Sequence, residues 1–235
     1  MTVPPPPWRR TPSPRRRAAK PLLSQELVVK TALEILAAEG IEAVTMRKVA
    51  QRLETGPASL YAYVSSKEEL DELMLDAALG DVPLPAPDAE RWDEQVKDQV
   101  RLQVRAMMAY PGIARVAWNT PVPVTPNALR QAEAMLVLLR AGGLSLEQAM
   151  FAGDALSLYA KAHAYEASSW TFGDFDQAEV AGRSRQMDEY MRSLPAGAFP
   201  NLLRSGEFFN AETSEPRFEF ALEMFVAGLR TLVRA

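Results

Sequence analysis

The chain has 235 residues, 48% of them apolar and 24% charged, with a formal net charge of −4 and no cysteine. That length carries one sizeable core with room for a small second domain, and the missing thiols exclude disulfides, thiolate zinc sites and cysteine nucleophiles. No uncharged apolar run reaches the ~18 residues of a membrane span, and the N-terminus lacks the apolar stretch of a secretory signal, so the expectation is a cytoplasmic protein with no membrane partner.

Residues 1–21 hold seven of the 18 prolines and six bases (Arg9, Arg10, Arg15, Arg16, Arg17 and Lys20) with no acid. Such a segment buries too little apolar surface to fold and reads as a disordered basic arm. Two readings of it stand: a solubilising leader, or an arm whose arginines lie on phosphates or in a minor groove. The remaining residues carry 20 bases against 30 acids, so the body is acidic.

A first helix reads from Ser24 as N-cap, with Val28, Ala32, Ile35 and Leu36 at helical spacing and Gly40 as stop. Thr45 suits the cap of a second, short helix, "MRKVAQRL", with Met46, Val49, Ala50 and Leu53 on its apolar side. After "ETG", Thr55 or Gly56 can cap a third helix whose first turn takes Pro57, and Ala58 to Tyr63 form its body. Ser66 and Glu69 spell a capping box for a fourth, which faces inward with Leu70, Leu73, Met74 and Ala77. Short helices of this kind bury enough surface only by packing together. The tight turn between the second and third is the helix-turn-helix layout, in which the second helix of the pair is exposed to read a groove. Leu60 is expected to face inward and Ser59, Tyr61 and Tyr63 outward; the competing reading is a helical subdomain whose tyrosines merely pack.

From Leu27 to Leu79 these residues resemble the N-terminal DNA-binding domain of the TetR family of bacterial transcriptional regulators. The resemblance rests on the Gly40 stop, the Thr45-Met46-Arg47-Lys48-Val49-Ala50 opening, Leu53 and the block "SLYAYVSSKEEL". It implies an all-α fold: a disordered arm (1–21), a helix-turn-helix domain (22–80) and a helical ligand-binding and dimerisation domain (81–235). It also implies a homodimer that reads a palindromic operator in double-stranded DNA and is released by a small-molecule effector. Carried over by position, Pro57, Ala58 and Ser59 supply base contacts and Tyr61 and Lys67 contact the backbone. Tyr63 takes the place of an aromatic or histidine, and Arg47 reaches the operator. Pro57 stands where the tetracycline repressor has a glutamine, so amide readout of adenine is unavailable and the operator should differ.

The chemistry of these residues suits the roles: a tyrosine hydroxyl and a mobile ammonium can both donate to phosphate. The start of the fourth helix adds its positive end, and an arginine fork fits a guanine edge or a phosphate. Charge pulls the other way. Ser24 to Gly80 holds five bases against ten acids, which is acidic for a DNA-binding domain; the arm's six bases over-compensate.

"GDVPLPAP" marks the boundary to the larger half. Helices read over Arg91–Met108, from near Pro111 to before "NTPVPVTP", over "NALRQAEAMLVLLRAGG" and over "SLEQAMFAGDALSLYAKAHAYEA". A polar stretch, "SSWTFGDFD", reads as irregular; then come "AEVAGRSRQMDEYMRSL" and a closing helix striped with Phe218, Leu222, Phe225, Val226, Leu229 and Leu232. This half resembles the regulatory domain of the tetracycline-repressor branch through Trp92, Arg105-Ala106, Pro111-Gly112-Ile113-Ala114 and Phe218 to Leu222. In that branch the dimer is a four-helix bundle, which here implies Leu146 to Ala164 and Arg217 to Leu232. Truncating Phe225 and Leu229 is expected to weaken it.

One histidine and scattered carboxylates make no metal or di-iron constellation, and neither a nucleophile elbow nor a phosphate-cradling loop is present. The expectation is no enzyme, no metal and no cofactor. Met107, Met108, Tyr110, Trp118, Tyr159, His163, Trp170, Phe172 and Tyr190 are candidate lining for a pocket taking a hydrophobic or aromatic effector, or are ordinary core. Tyr110 stands where the tetracycline repressor keeps a magnesium-binding histidine, so a tetracycline–magnesium effector is not expected. The alternative function is a helical ligand-binding dimer whose helix-turn-helix no longer reads DNA.

Overall fold

A computed structural model describes residues 23–110, 112–120, 124–171, 177–208 and 213–233, all of whose regular structure is helical. The arm 1–21 and Phe172 lie outside these residues.

Helix α1 (Gln25–Glu39) starts at Ser24, whose Oγ accepts from Leu27 N at 3.1 Å, and stops at Gly40. A 3-10 turn (Ile41–Ala43) leads to α2 (Met46–Arg52), capped by Thr45 Oγ1 accepting from Lys48 N at 3.1 Å. Helix α3 (Pro57–Leu60) starts from Gly56, and α4 (Lys67–Gly80) from Ser66, whose Oγ accepts from Glu69 N at 3.1 Å. The reciprocal half of the expected capping box is shifted. The Glu69 carboxylate accepts from Ser65, which offers both an N–H and a hydroxyl, instead of from Ser66 N. Helix α3 is also shorter than expected. Tyr61 to Tyr63 form a turn closed on Leu60 O, because the chain must bend there to bring Val64 into the core. Ala32, Ile35 and Leu36 of α1, Val49 and Ala50 of α2, Leu60 of α3, and Leu70 and Met74 of α4 are all fully buried in that core.

The larger half comprises α5 (Trp92–Met108), α6 (Ile113–Asn119), α7 (Pro126–Ala141), α8 (Leu146–Thr171), α9 (Gln177–Ser193), a 3-10 turn (Leu202–Glu207) and α10 (Ser214–Val233). Helix α5 is central and packs on α4, α6, α7, α8 and α10, burying Val96, Val100, Val104 and Met107 along one stripe. A Cβ on Gly142, just past α7, would sit 2.2 Å from the Trp92 ring, so only glycine lets that indole close the base of α5. Helix α8 runs on through Ser168 to Thr171, where an irregular segment was expected. The buried Ser168 hydroxyl donates to Tyr165 O at 3.0 Å, so its polarity is absorbed inside the helix.

Helix α10 departs from expectation at the two residues assigned to the dimer. Phe225 and Leu229 pack against their own chain's core, Phe225 5.5 Å from the Tyr159 ring. The face turned away from the core carries Phe220 and Met224, 69% and 61% exposed. Ion pairs strap α10 to α5. Arg101 grips Glu219 with two bonds of 2.7 and 2.6 Å, Lys97 donates to Glu223 at 2.7 Å, and Arg230 Nε donates to Asp93 at 2.8 Å.

The two halves meet at α4. Asp76, buried in the middle of α4, accepts from Asn127 N at 2.7 Å and Ala128 N at 3.1 Å, and so caps α7 from another helix. Gln131 of α7 donates to Val82 O at 2.8 Å just beyond α4. At the other end of α4, Arg115 of α6 pairs with Glu42 beside α1. Gly112 there has φ +89°, and a Cβ on it would fall 2.7 Å from Ile41, so two reasons require glycine.

Candidate DNA-reading face and effector cleft

The turn between α2 and α3 passes through Glu54 at φ +49°, a left-handed conformation that sets α3 across α2. The turn leaves Leu60 as the only buried residue of α3. Pro57, Ala58 and Ser59 are consequently all exposed, Tyr61 is 54% exposed, and Arg47 projects from the start of α2. All five are thus turned to solvent among the described residues. Tyr63 differs from its outward expectation. It is partly buried against the core, and its carbonyl accepts from Gln25 Nε2 at 3.1 Å, which ties the end of the α3 turn to α1.

Lys67 is partly buried and ion-paired with Asp71 one turn along α4. Burial pushes the Asp71 carboxyl up, against the lowering hydrogen bond from Lys67. Both line a cleft of about 540 Å³ between the two halves, with Glu42 and Thr45 on one wall and Arg115 and Asn119 of α6 on the other. A phosphate at Lys67 therefore has to compete with Asp71, and α6 is one wall away from that competition.

A second cleft, of about 440 Å³, lies between α5, α8 and the start of α10. Met108 and His163 line it, as expected, together with Arg101, Val104, Arg105 and Phe218, which sequence reasoning did not select. The His163 ring stacks on Phe218 at 4.4 Å, and Tyr159 stacks on the same ring at 5.8 Å. Burial lowers the His163 pKa below the ordinary imidazole value, opposed by Glu166 and Glu215, which keeps the ring neutral at neutral pH. Arg101 is committed to Glu219 and Asp98, whereas Arg105 is exposed at the rim.

Of the other expected lining residues, Tyr159 stacks on Phe218 beside the cleft, whereas Met107, Tyr110, Trp118 and Tyr190 do not line it. Met107 is buried in the core and Tyr110 packs against it. Trp118 is 53% exposed and stacks on Tyr165 at 6.5 Å, while Tyr190 is exposed on α9. The side chain of Trp170 and the whole of Phe172 lie outside what is described. Phe218 was legible only as part of an apolar stripe, and Arg105 as one base among many. Their meeting is a product of α10 folding back onto α5.

Residues 28–72 match the family described as "Bacterial regulatory proteins, tetR family", and residues 84–233 match "Tetracyclin repressor-like, C-terminal domain". The chain belongs to the TetR family. It is 30% identical over 216 residues to an HTH-type transcriptional regulator of Saccharopolyspora erythraea, covering 92% of this chain and 88% of that one. It is also 30% identical over 230 residues to the HTH-type transcriptional repressor DrrR1 of Streptomyces coeruleorubidus, covering 92% and 81%. Among solved structures, apo ActR of Streptomyces coelicolor superposes with a TM-score of 0.80 at 41% identity, over 92% of this chain and 98% of ActR. ActR has also been solved in complex with actinorhodin and with (S)-DNPA. The all-α TetR architecture, with its helix-turn-helix ahead of a larger helical domain, is thereby established; among the described residues no helix is long and apolar enough to cross a membrane.

Proposed function

We propose that this TetR-family chain is a cytoplasmic transcriptional repressor. In this reading it binds a palindromic operator as a homodimer and leaves it when a hydrophobic or aromatic small molecule occupies the larger domain. The observation that carries the reading is the outward side of α3: Ser59 and Tyr61 are exposed there, Arg47 is exposed at the start of α2, and half-buried Lys67 opens α4, residue types that suit a groove and its phosphates. A small-molecule effector is supported by ActR's complexes and by the ring stack in the α5–α8–α10 cleft, where Phe218 and neutral His163 offer flat apolar area and Arg105 a polar handle. The chain acts by binding rather than by catalysis.

Coupling between the sites follows from the contacts of α4. Its start holds Lys67 beside α6, and its third turn is bolted to α7 through Asp76. A shift of α6 or α7 on effector binding moves α4, and with it the spacing of the two reading helices. Differential affinity for the two arrangements is all the effector needs.

One observation favours the second reading, a helix-turn-helix that no longer reads DNA: the domain's five bases face ten acids, one of which holds Lys67. Selection of bound sequences from a random duplex pool separates the two. The repressor reading expects recovery of a two-fold symmetric sequence, with affinity that falls steeply with salt. Recovery of no sequence at low salt would establish the remnant.

A further inference from the structure

Helix α8 carries a second face, turned away from the core, made of Met150, Phe151, Asp154, Leu158, Lys161 and Tyr165. Met150, Phe151 and Leu158 are 52%, 68% and 51% exposed, far more apolar area than an isolated helix face leaves to water. Beside it, the outer stripe of α10 shows Phe220, Met224, Ala227 and Thr231, all exposed and none charged. Between Met150 and Tyr165 this face of α8 holds a single acid and a single base, Asp154 and Lys161; a further exposed acid, Glu147, stands on the same line seven residues before Asp154. Asp154 and Lys161 lie seven residues apart, within about 20° of the same helical direction and ~10 Å along the axis.

A two-fold axis crossing α8 between Ser157 and Leu158 runs two copies of the helix antiparallel. Asp154 of each then faces Lys161 of the other, Met150 faces Tyr165, and Leu158 meets Ser157. The stripe is self-complementary about that point; a two-fold at Asp154 would instead pair Lys161 with Glu147 but set Asp154 against its own copy. A slip of one turn breaks both ion pairs and leaves two charges against apolar side chains, which is costly.

We infer that Asp154 and Lys161 form a reciprocal pair of ion pairs across a second copy of this chain, and so set the register and partner choice of the α8 face. The inference rests on the homodimer of the proposed function and adds which copies pair and how. Burial already depresses the Lys161 ammonium in the single chain while Asp154 raises it, consistent with a lysine waiting for a closer acid. An isologous interface needs this two-fold matching of each residue with its counterpart, and charges at such positions decide partner identity more than bulk affinity.

Charge swaps on the full-length chain test it, read by sedimentation and by co-purification of differently tagged copies. Asp154→Lys places lysine against lysine twice, and Lys161→Glu places acid against acid twice. Each alone should raise the dimer dissociation constant by about tenfold or more. Mixed together, these two variants should form more heterodimer than the statistical half, since both contacts become attractive. The double variant Asp154→Lys/Lys161→Glu should recover a homodimer and exclude the wild type. Statistical mixing, with the wild type dimeric, would overturn the register while leaving the dimer standing. A wild-type monomer at micromolar concentration would instead remove the dimer itself and this inference with it.

Discussion

Three of the four N-terminal helices are capped by a side chain three residues before the amide it serves: Ser24 for Leu27, Thr45 for Lys48 and Ser66 for Glu69. In the larger half, α7 takes its cap from Asp76, 51 residues earlier, and α10 is strapped to α5 by Arg101 and Glu219, 118 residues apart. The N-terminal unit thus takes its caps from neighbours and leaves Arg47, Pro57, Ala58, Ser59 and Tyr61, candidates for DNA contact, outside. The larger half keeps a local cap, Ser145 on α8, but is held together by distant partners, which also bring Met108, His163 and Phe218 to one cleft. Damage should therefore stay local in the first and travel in the second.

The strongest test of that contrast is Leu60→Ala. Leu60 is the only buried residue of α3, so its loss opens a cavity with nothing local to close it. The expected cost is about 3 kcal/mol of stability by urea unfolding, together with loss of operator binding. A variant that keeps both would show that α3 is held from elsewhere.

Asp76→Ala comes next, at about 2 kcal/mol, because two backbone amides of α7 lose a charged acceptor in a buried place. Its diagnostic effect is on communication: DNA affinity should change little while effector-driven release weakens, measured as the effector concentration that halves duplex binding. Unchanged release would show that signals bypass the α4–α7 contact.

On DNA, Lys67→Ala and Ser59→Ala should separate by kind. Lys67→Ala should weaken specific and random duplexes alike, by about 1 kcal/mol, since a phosphate contact carries little base information. Part of that loss is offset, because Asp71 already competes for the ammonium. Ser59→Ala should instead alter preference at one position of each half-site, and equal losses on all sequences would show that Ser59 does not read a base.

The smallest expected effect is on the α5–α10 strap. The hydrogen bond from Arg101 holds the Glu219 carboxyl below the ordinary carboxylate range. The depressed value means the unfolded chain binds that proton first. The pair's stabilisation is therefore present above the ordinary carboxylate range and is lost as pH falls through it towards the lower, folded value. Glu219 sits on a partly exposed rim, so Glu219→Gln should cost at most about 1 kcal/mol at neutral pH. It should also flatten the acid limb of stability against pH; an unchanged limb would assign acid lability to other carboxylates.

Several features were legible from residues alone because their causes lie within one helical turn. Ser24, Thr45 and Ser66 cap where hydroxyls precede periodic segments, Gly40 stops α1, and Leu60 faces in while Ser59 and Tyr61 face out. Other assignments needed the packed chain. Tyr63 is half-buried on the core while Gln25 of α1 holds its carbonyl, and the Ser168 hydroxyl bonds back along α8, which continues through it. Asp76 looks like one more surface acid until α7 arrives with unpaired amides.

Apolar periodicity in α10 marked a stripe but could not say which chain it faces. Phe225 and Leu229 pack inward on Tyr159 and the core, and Phe220 and Met224 are left outside. The sequence by itself determined the order of the N-terminal helices, the caps at Ser24, Thr45 and Ser66, and the outward side of Arg47, Ser59 and Tyr61, since hydrogen bonds to nearby amides and helical spacing act over a few residues. Only the tertiary structure decided the cleft of Met108, His163 and Phe218, the cap on α7 and the outward faces of α8 and α10. Those arise where segments up to 137 residues apart, as in the Asp93–Arg230 pair, are brought within a hydrogen bond of each other, and no local pattern encodes that meeting.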